Sequence, residues 1–142
     1  MTDSPRRLRA LTRDEALRRL ASVSVGRLVF TIAGLPAIRP VNHLVDDGAV
    51  IVRSDLGSGV SLAEGTVVAY EADRLDSDTH TGWSVIVTGS AALVEEPAQI
   101  ERYEKLIHPW VAKAMTHVIR IEAAIVTGFE LAGEHTLGQP KS

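Results

Sequence analysis

The sequence predicts a mainly β fold, a small barrel with peripheral helices. Three observations predict it. Stretches in which apolar and polar residues alternate recur along the chain, as half-buried strands require. Asp46-Asp47-Gly48 separates two such stretches, and Asp-Gly is a hairpin signal because Gly tolerates the positive φ of a tight turn. Strands do not alternate with helices in βαβ units, which argues against a Rossmann-type sheet.

A chain of 142 residues is the size of one domain with a single core. Hydrophobic content of 45% and mean hydropathy of +0.09 belong to a globular protein, and no apolar run approaches the roughly 18 residues of a membrane span. The charged N-terminus carries no signal-peptide pattern, and the lack of cysteine excludes disulfides and thiolate chemistry. Both fit a cytoplasmic protein. Net charge is −3 but uneven: Arg6, Arg7, Arg9, Arg13, Arg18 and Arg19 face only Asp3, Asp14 and Glu15 at the N-terminal end. A nucleic-acid binder would be basic overall, so the arginines read as a solvated arm and helix face, with no nucleic-acid or membrane partner.

In order, residues 1–10 read as a mobile Arg-rich arm, 11–131 as the folded domain and 132–142 as a flexible tail. Thr12-Arg13-Asp14-Glu15 is a capping box, which predicts a helix over 13–21 that opens on acids and closes on Arg18 and Arg19. Residues 26–32 alternate, with Leu28, Phe30 and Ile32 on one face. Residues 33–36 are a turn, and 37–45 return antiparallel. Pro40 removes a ladder donor there and so predicts an edge, a bulge or an open backbone. Residues 49–54 form the third strand, 60–64 a short helix and 66–73 a fourth strand. Residues 74–81 are a polar connection. Residues 83–94 form the longest strand, with Gly89 placed for a barrel corner. Pro97 opens a helix with Ile100, Tyr103 and Ile107 on one face. Residues 116–121 and 124–131 close a count of about seven strands and three helices.

Catalytic motifs of the familiar kinds are missing: no phosphate-binding Walker loop, GxGxxG, HExxH or GxSxG occurs. The five histidines lack ligand spacing, so no metal site is expected, and Asp46-Asp47 reads as turn chemistry. One stretch can carry binding chemistry. Arg53 and Ser54 end a strand, and Asp55-Leu56-Gly57-Ser58-Gly59 follows. A guanidinium, two hydroxyls and backbone N–H groups in a Gly/Ser loop make an anion cradle. The alternative is an outward Arg beside an ordinary loop. Trp83 and Trp110 stand at element ends, either packed over a barrel mouth or walling a pocket for an aromatic ligand.

The order of these motifs resembles the pyridoxamine 5′-phosphate oxidase-like, flavin-nucleotide-binding family, in its small actinobacterial-type branch. The likeness rests on the capped helix, GRLVF, RPVN, RS-x-x-GS, GWSVIVTG and HPW, and it runs from Leu11 to Leu131. The resemblance implies a six-stranded antiparallel split β-barrel, a homodimer and FMN bound between subunits. It implies that Arg39, Pro40, Val41 and Asn42 run along the isoalloxazine, and that Arg53, Ser54 and Ser58 approach the ribityl-phosphate. Trp83 and Ser84 would lie near the flavin from either subunit, and Trp110 would pack at the pocket edge. Gly59 stands where the family usually carries Lys or Arg, so one cation rather than two would meet the phosphate. The residues that grip pyridoxal phosphate in the true oxidases are not recognisable, and the resemblance is not extended to that reaction. The expected function is a flavin-dependent oxidoreductase acting on a small organic substrate, its catalytic residues unassigned. The alternatives are a reductase using a deazaflavin coenzyme, whose anionic tail the N-terminal arginines would serve, and a flavin carrier without turnover.

Overall fold

A computed structural model describes residues 7–54, 66–108 and 117–132. Its first helix, α1 (Arg13–Ala21), has the bounds that the capping box predicts. The Glu15 N–H donates to Thr12 Oγ1 at 3.2 Å, and the Thr12 N–H donates to Glu15 Oε1 at 2.9 Å. Ala16 and Leu20 are buried against the barrel.

Two hairpins follow. Strand β2 (Val25–Ile32) turns through Ala33 and Gly34, both at positive φ, into β3 (Leu35–Asp46). Asp47 and Gly48, also at positive φ, turn β3 into β4 (Ala49–Ser54). Two residues in the left-handed region give the connection whose twist matches the strands it joins. β5 (Val67–Asp76) and β6 (Thr81–Leu93) make a third hairpin, longer than the sequence suggests because both strands extend into the expected polar connection. Helix α2 (Pro97–Leu106), β7 (His117–Glu122) and β8 (Ile125–Ala132) complete this part of the chain.

The strands run in the order β8-β6-β5-β2-β3-β4-β7, and a further pairing of β6 with β7 closes β6-β5-β2-β3-β4-β7 into a ring of six. Two strands serve both sides of that ring. β3 pairs β2 through residues 35–42 and then β4 through 43–46. β6 pairs β8 through 82–88 and β7 through 91–93. Gly89 lies at the changeover, where a Cβ would overlap the carbonyl oxygen of Glu122, so the corner that the sequence places there is a close backbone approach.

The interior is filled by alternate residues of the ring, including Leu28, Phe30, Val50, Val52, Tyr70, Trp83, Val85, Val87, Ile119 and Ile121. A smaller cluster of Ala49, Ile51, Tyr103, Ile107 and Val118 lies under α2, on the opposite face of β4 and β7.

Two expectations are corrected. Residues 1–10 are not an arm throughout: Arg7–Ala10 is a strand, β1, antiparallel to β8. Arg9 bonds Glu130 at 2.8 Å and the Leu11 N–H bonds the Gly128 carbonyl at 2.8 Å. The flexible tail does not begin at Ala132, which pairs with Arg7 as the last residue of β8. With β1 the described residues hold eight strands and two helices; the helix expected over 60–64 lies outside them. Among the described residues no helix is long and apolar enough to cross a membrane.

Candidate functional site

The ring is split between β3 and β4. Their ladder holds only from His43↔Val52 to Asp46↔Ala49. Beyond it, among the described residues, no strand pairs with residues 35–42 on the side away from β2. The His43 N–H donates to the Ser24 carbonyl at 2.9 Å, which fixes the alternation along β3. Arg39 and Val41 therefore turn their backbone groups toward β2, while Ile38, Pro40 and Asn42 turn theirs toward the split. Pro40 thus sits where the sequence puts it, on an edge, with its missing donor on the side that has no ladder.

The same alternation divides the side chains. Arg39 and Val41 lie opposite Leu28 and Gly26 on the inward face, with the Arg39 guanidinium 5.9 Å from the Phe30 ring centre. Pro40 and Asn42 lie opposite Arg27 and Val25 on the outward face, and Asn42 Nδ2 points to the Ser24 carbonyl at 3.4 Å. A strand cannot lay four consecutive side chains along one surface. A ligand that followed Arg39–Asn42 would meet the strand's edge.

Across the split, β4 ends in Arg53 and Ser54, again on opposite faces. Ser54 is buried with Val50 and Val52, whereas Arg53 shares the α2 side with Ala49 and Ile51. Arg53 Nη1 donates to the carbonyl of Ile107 at 2.9 Å and reaches that of Glu104 at 3.5 Å. Both acceptors are main-chain carbonyls at the C-terminal end of α2, where a cation is favoured by the helix dipole. Ser58, Gly59 and Trp110 lie outside the described residues.

Trp83 and Ser84 do not join this group within one chain. They sit on β6, separated from β3 by β2 and β5. Trp83 is buried in the core with Val85 and Val87. Ser84 faces outward between Asp73 and Phe129.

Two clusters whose partners the sequence does not reveal hold the surroundings of the split. His43 is buried where β3 changes partner. Its Nε2 lies 2.8 Å from the Leu20 carbonyl, which only accepts, so Nε2 carries the proton, and in the neutral ring that burial favours Nδ1 accepts from the Tyr70 hydroxyl. Burial holds the His43 imidazolium pKa below its ordinary value and pushes the Tyr70 hydroxyl up. Asp46, expected only to shape a turn, takes the Tyr103 hydroxyl at 2.6 Å and Arg102 at 3.0 Å on Oδ2. Those bonds hold its carboxyl below the usual carboxylate range. Each partner lies on another element, so spacing along the chain could not reveal it.

A second titratable cluster sits on the outward face. Arg27 of β2 donates to Glu71 at 2.8 Å and to Asp73 at 3.4 Å, both on β5. Burial, reinforced by the neighbouring Asp73, pushes Glu71 up to about 7 against the opposing pull of Arg27.

A six-stranded ring opened between two of its strands defines a split β-barrel. A family model described as pyridoxamine 5′-phosphate oxidase matches residues 12–130, and the chain belongs to that family. An uncharacterized protein of Mycobacterium tuberculosis, Rv0080, is 56% identical over 137 residues, covering 92% of this chain and 90% of that protein. Among solved structures, a Corynebacterium glutamicum protein provisionally named pyridoxamine 5′-phosphate oxidase superposes with a TM-score of 0.77 at 34% identity, covering 94% of this chain and 99% of that one. The FAD binding protein of Mycobacterium smegmatis superposes with a TM-score of 0.67 at 31% identity, covering 87% of this chain and 97% of that one.

Proposed function

We propose that this chain is a flavin-dependent oxidoreductase that holds FMN along the split between β3 and β4 and acts on a small organic substrate. The observation that carries the reading is the edge of β3 over residues 35–42, which faces away from any described strand and lies beside the β4 end that bears Arg53. The donor set suits a phosphorylated flavin. Backbone groups on the edge match the polar rim of a flat heterocycle, and Arg53 supplies a cation for the phosphate. The 31% identical FAD binding protein supports a flavin as the ligand class.

In this reading Asn42 and the backbone at Ile38 and Pro40 orient the ring, while Val41 and Arg39 line the inward side of the edge. Ser58 and Trp110, outside the described residues, keep only the roles that the family resemblance implies for them. A bound flavin supplies hydride or electron transfer, and the protein's part is position and electrostatics. No titrating side chain is required of the site for that.

A second copy of the chain completes the pocket. The outward face of the larger sheet carries one continuous row, Ile38–Val29–Ala69–Thr88–Ile125, across five strands. Ile38 is 65% exposed, Ile86 42%, Ile125 61% and Phe129 45%. Exposed apolar side chains spread over that breadth favour association, and a homodimer built on this face would bring a partner's Ser84 toward a flavin.

The test is the visible spectrum of the purified protein before and after adding FMN, with parallel titrations of FAD, riboflavin and a deazaflavin coenzyme. Tightest binding of FMN supports the reading. Tighter binding of the deazaflavin moves the assignment to the reductase alternative. Failure of all four to bind removes it.

A further inference from the structure

Arg53 is held by the end of a helix, and the one residue that this helix buries fully is a tyrosine. α2 has no side-chain cap at its N-terminus and, within its span, buries only Tyr103. Tyr103 lies beneath it with Ile51 and Val118 of the barrel wall. Its hydroxyl donates to Asp46 Oδ2 at 2.6 Å and accepts from Arg120 Nη2 at 2.9 Å. Asp46 lies at the β3–β4 turn, next to the first residue of β4 across the ladder; Arg53 lies near the last. The Ile107 N–H bonds the Tyr103 carbonyl at 2.8 Å, so Tyr103 and Ile107 are one helical turn apart on the same side. The C-terminal part of α2 thus carries both contacts: Tyr103 ties it to Asp46 and Arg120, and one turn further on Ile107 presents its carbonyl to Arg53.

We infer that Tyr103, with Asp46 and Arg120, is a positioning residue: it sets where α2 ends and thereby aims the Arg53 guanidinium, so that it governs discrimination between phosphorylated and unphosphorylated flavin. The inference rests on the reading of Arg53 as a phosphate ligand. It differs from a purely structural role in one respect. A loosened helix would lower the affinity for every flavin alike, whereas a mis-aimed Arg53 lowers it only for ligands that carry phosphate.

The experiment is a double-mutant cycle on the full chain, with FMN and riboflavin titrated into the wild type, Tyr103→Phe, Arg53→Ala and the double variant, each checked by thermal melting. Tyr103→Phe is expected to weaken FMN about five- to tenfold, the scale of one ordinary net hydrogen bond, and to leave riboflavin within about twofold. In the Arg53→Ala background it is expected to add nothing. Equal losses for both ligands, additive effects, or no effect of Tyr103→Phe while Arg53→Ala remains FMN-selective would overturn the inference and leave the phosphate assignment standing. If Arg53→Ala itself fails to separate FMN from riboflavin, the phosphate assignment falls and the inference falls with it. Should Tyr103→Phe not fold, Asp46→Ala, at a partly exposed position, replaces it in the same cycle. An FMN-to-riboflavin ratio unchanged by that variant overturns the inference as well.

Discussion

The Tyr70 hydroxyl donates to Nδ1 of His43 in the barrel interior, and that bond requires His43 to be neutral. His43 therefore gains a proton less readily when folded than when unfolded. The unfolded chain binds more protons once pH falls below about 6.5, so stability is lost progressively from there downward. The expected outcome is an acid limb in the melting temperature below about pH 6.5 that flattens in His43→Gln. An identical acid limb in that variant would assign it to other groups.

Glu71 works in the opposite direction. Its folded pKa of about 7 lies above its ordinary value, so the folded chain binds the extra proton between the two. That contribution is complete at low pH and is lost as pH rises toward 7. Carboxyl carbon shifts followed by NMR should show one glutamate titrating near neutrality, and Asp73→Asn should lower its midpoint by removing the neighbouring charge. A midpoint in the ordinary carboxylate range would show that Arg27 outweighs burial.

Gly89→Ala should destabilise the barrel by several kcal/mol or prevent its closure, because the new Cβ would overlap the Glu122 carbonyl and backbone cannot yield as a flexible side chain can. The control is Gly128→Ala. Its Cβ would meet Ala16 Cβ and Leu11 Cδ1 at 3.1 Å, a tight contact that a turn of the Leu11 side chain and a shift of α1 by a few tenths of an ångström can relieve at smaller cost. Chemical denaturation of both variants checks the order, and equal losses would contradict it.

Phe129→Asp and Ile86→Glu place charges on the outward face beside its apolar row, where each residue is about half exposed in the single chain. Light scattering at micromolar concentration should show the wild type as a dimer and each variant shifted toward monomer, with flavin binding lost in parallel. A monomeric wild type, with or without FMN, would remove the proposed interface.

Much of the fold was legible because its signals are local. Thr12 and Glu15 define α1 within four residues, and Asp47-Gly48 sets the β3–β4 turn through its own backbone preferences. The exposed stretch Arg7–Ala10 carries too little pattern for a strand; its order comes from β8, at the far end of the chain. The site was legible only as a neighbourhood. Arg39–Asn42 and Arg53 do flank one opening, but the alternation of a strand sends Arg39 and Asn42 to different faces, and a motif read as a string conceals that. His43, Asp46 and Tyr103 were unreadable as partners because each is defined by contacts to another element.

The way the ring closes also bears on the order of assembly. The hairpins β2–β3, β3–β4 and β5–β6 join neighbours in sequence and can form early. β7 must bring residues 117–122 back to 49–54, the most distant pairing in the ring. Non-local closures of this kind are slow because the loop entropy is lost before the contacts are made. During synthesis, residues 117–122 also emerge after the rest of the ring. Until they dock, β4 presents a bare edge and the apolar side chains of Val50 and Val52 to other nascent chains. The barrel's most exposed moment for aggregation is therefore the interval before its last ring strand arrives.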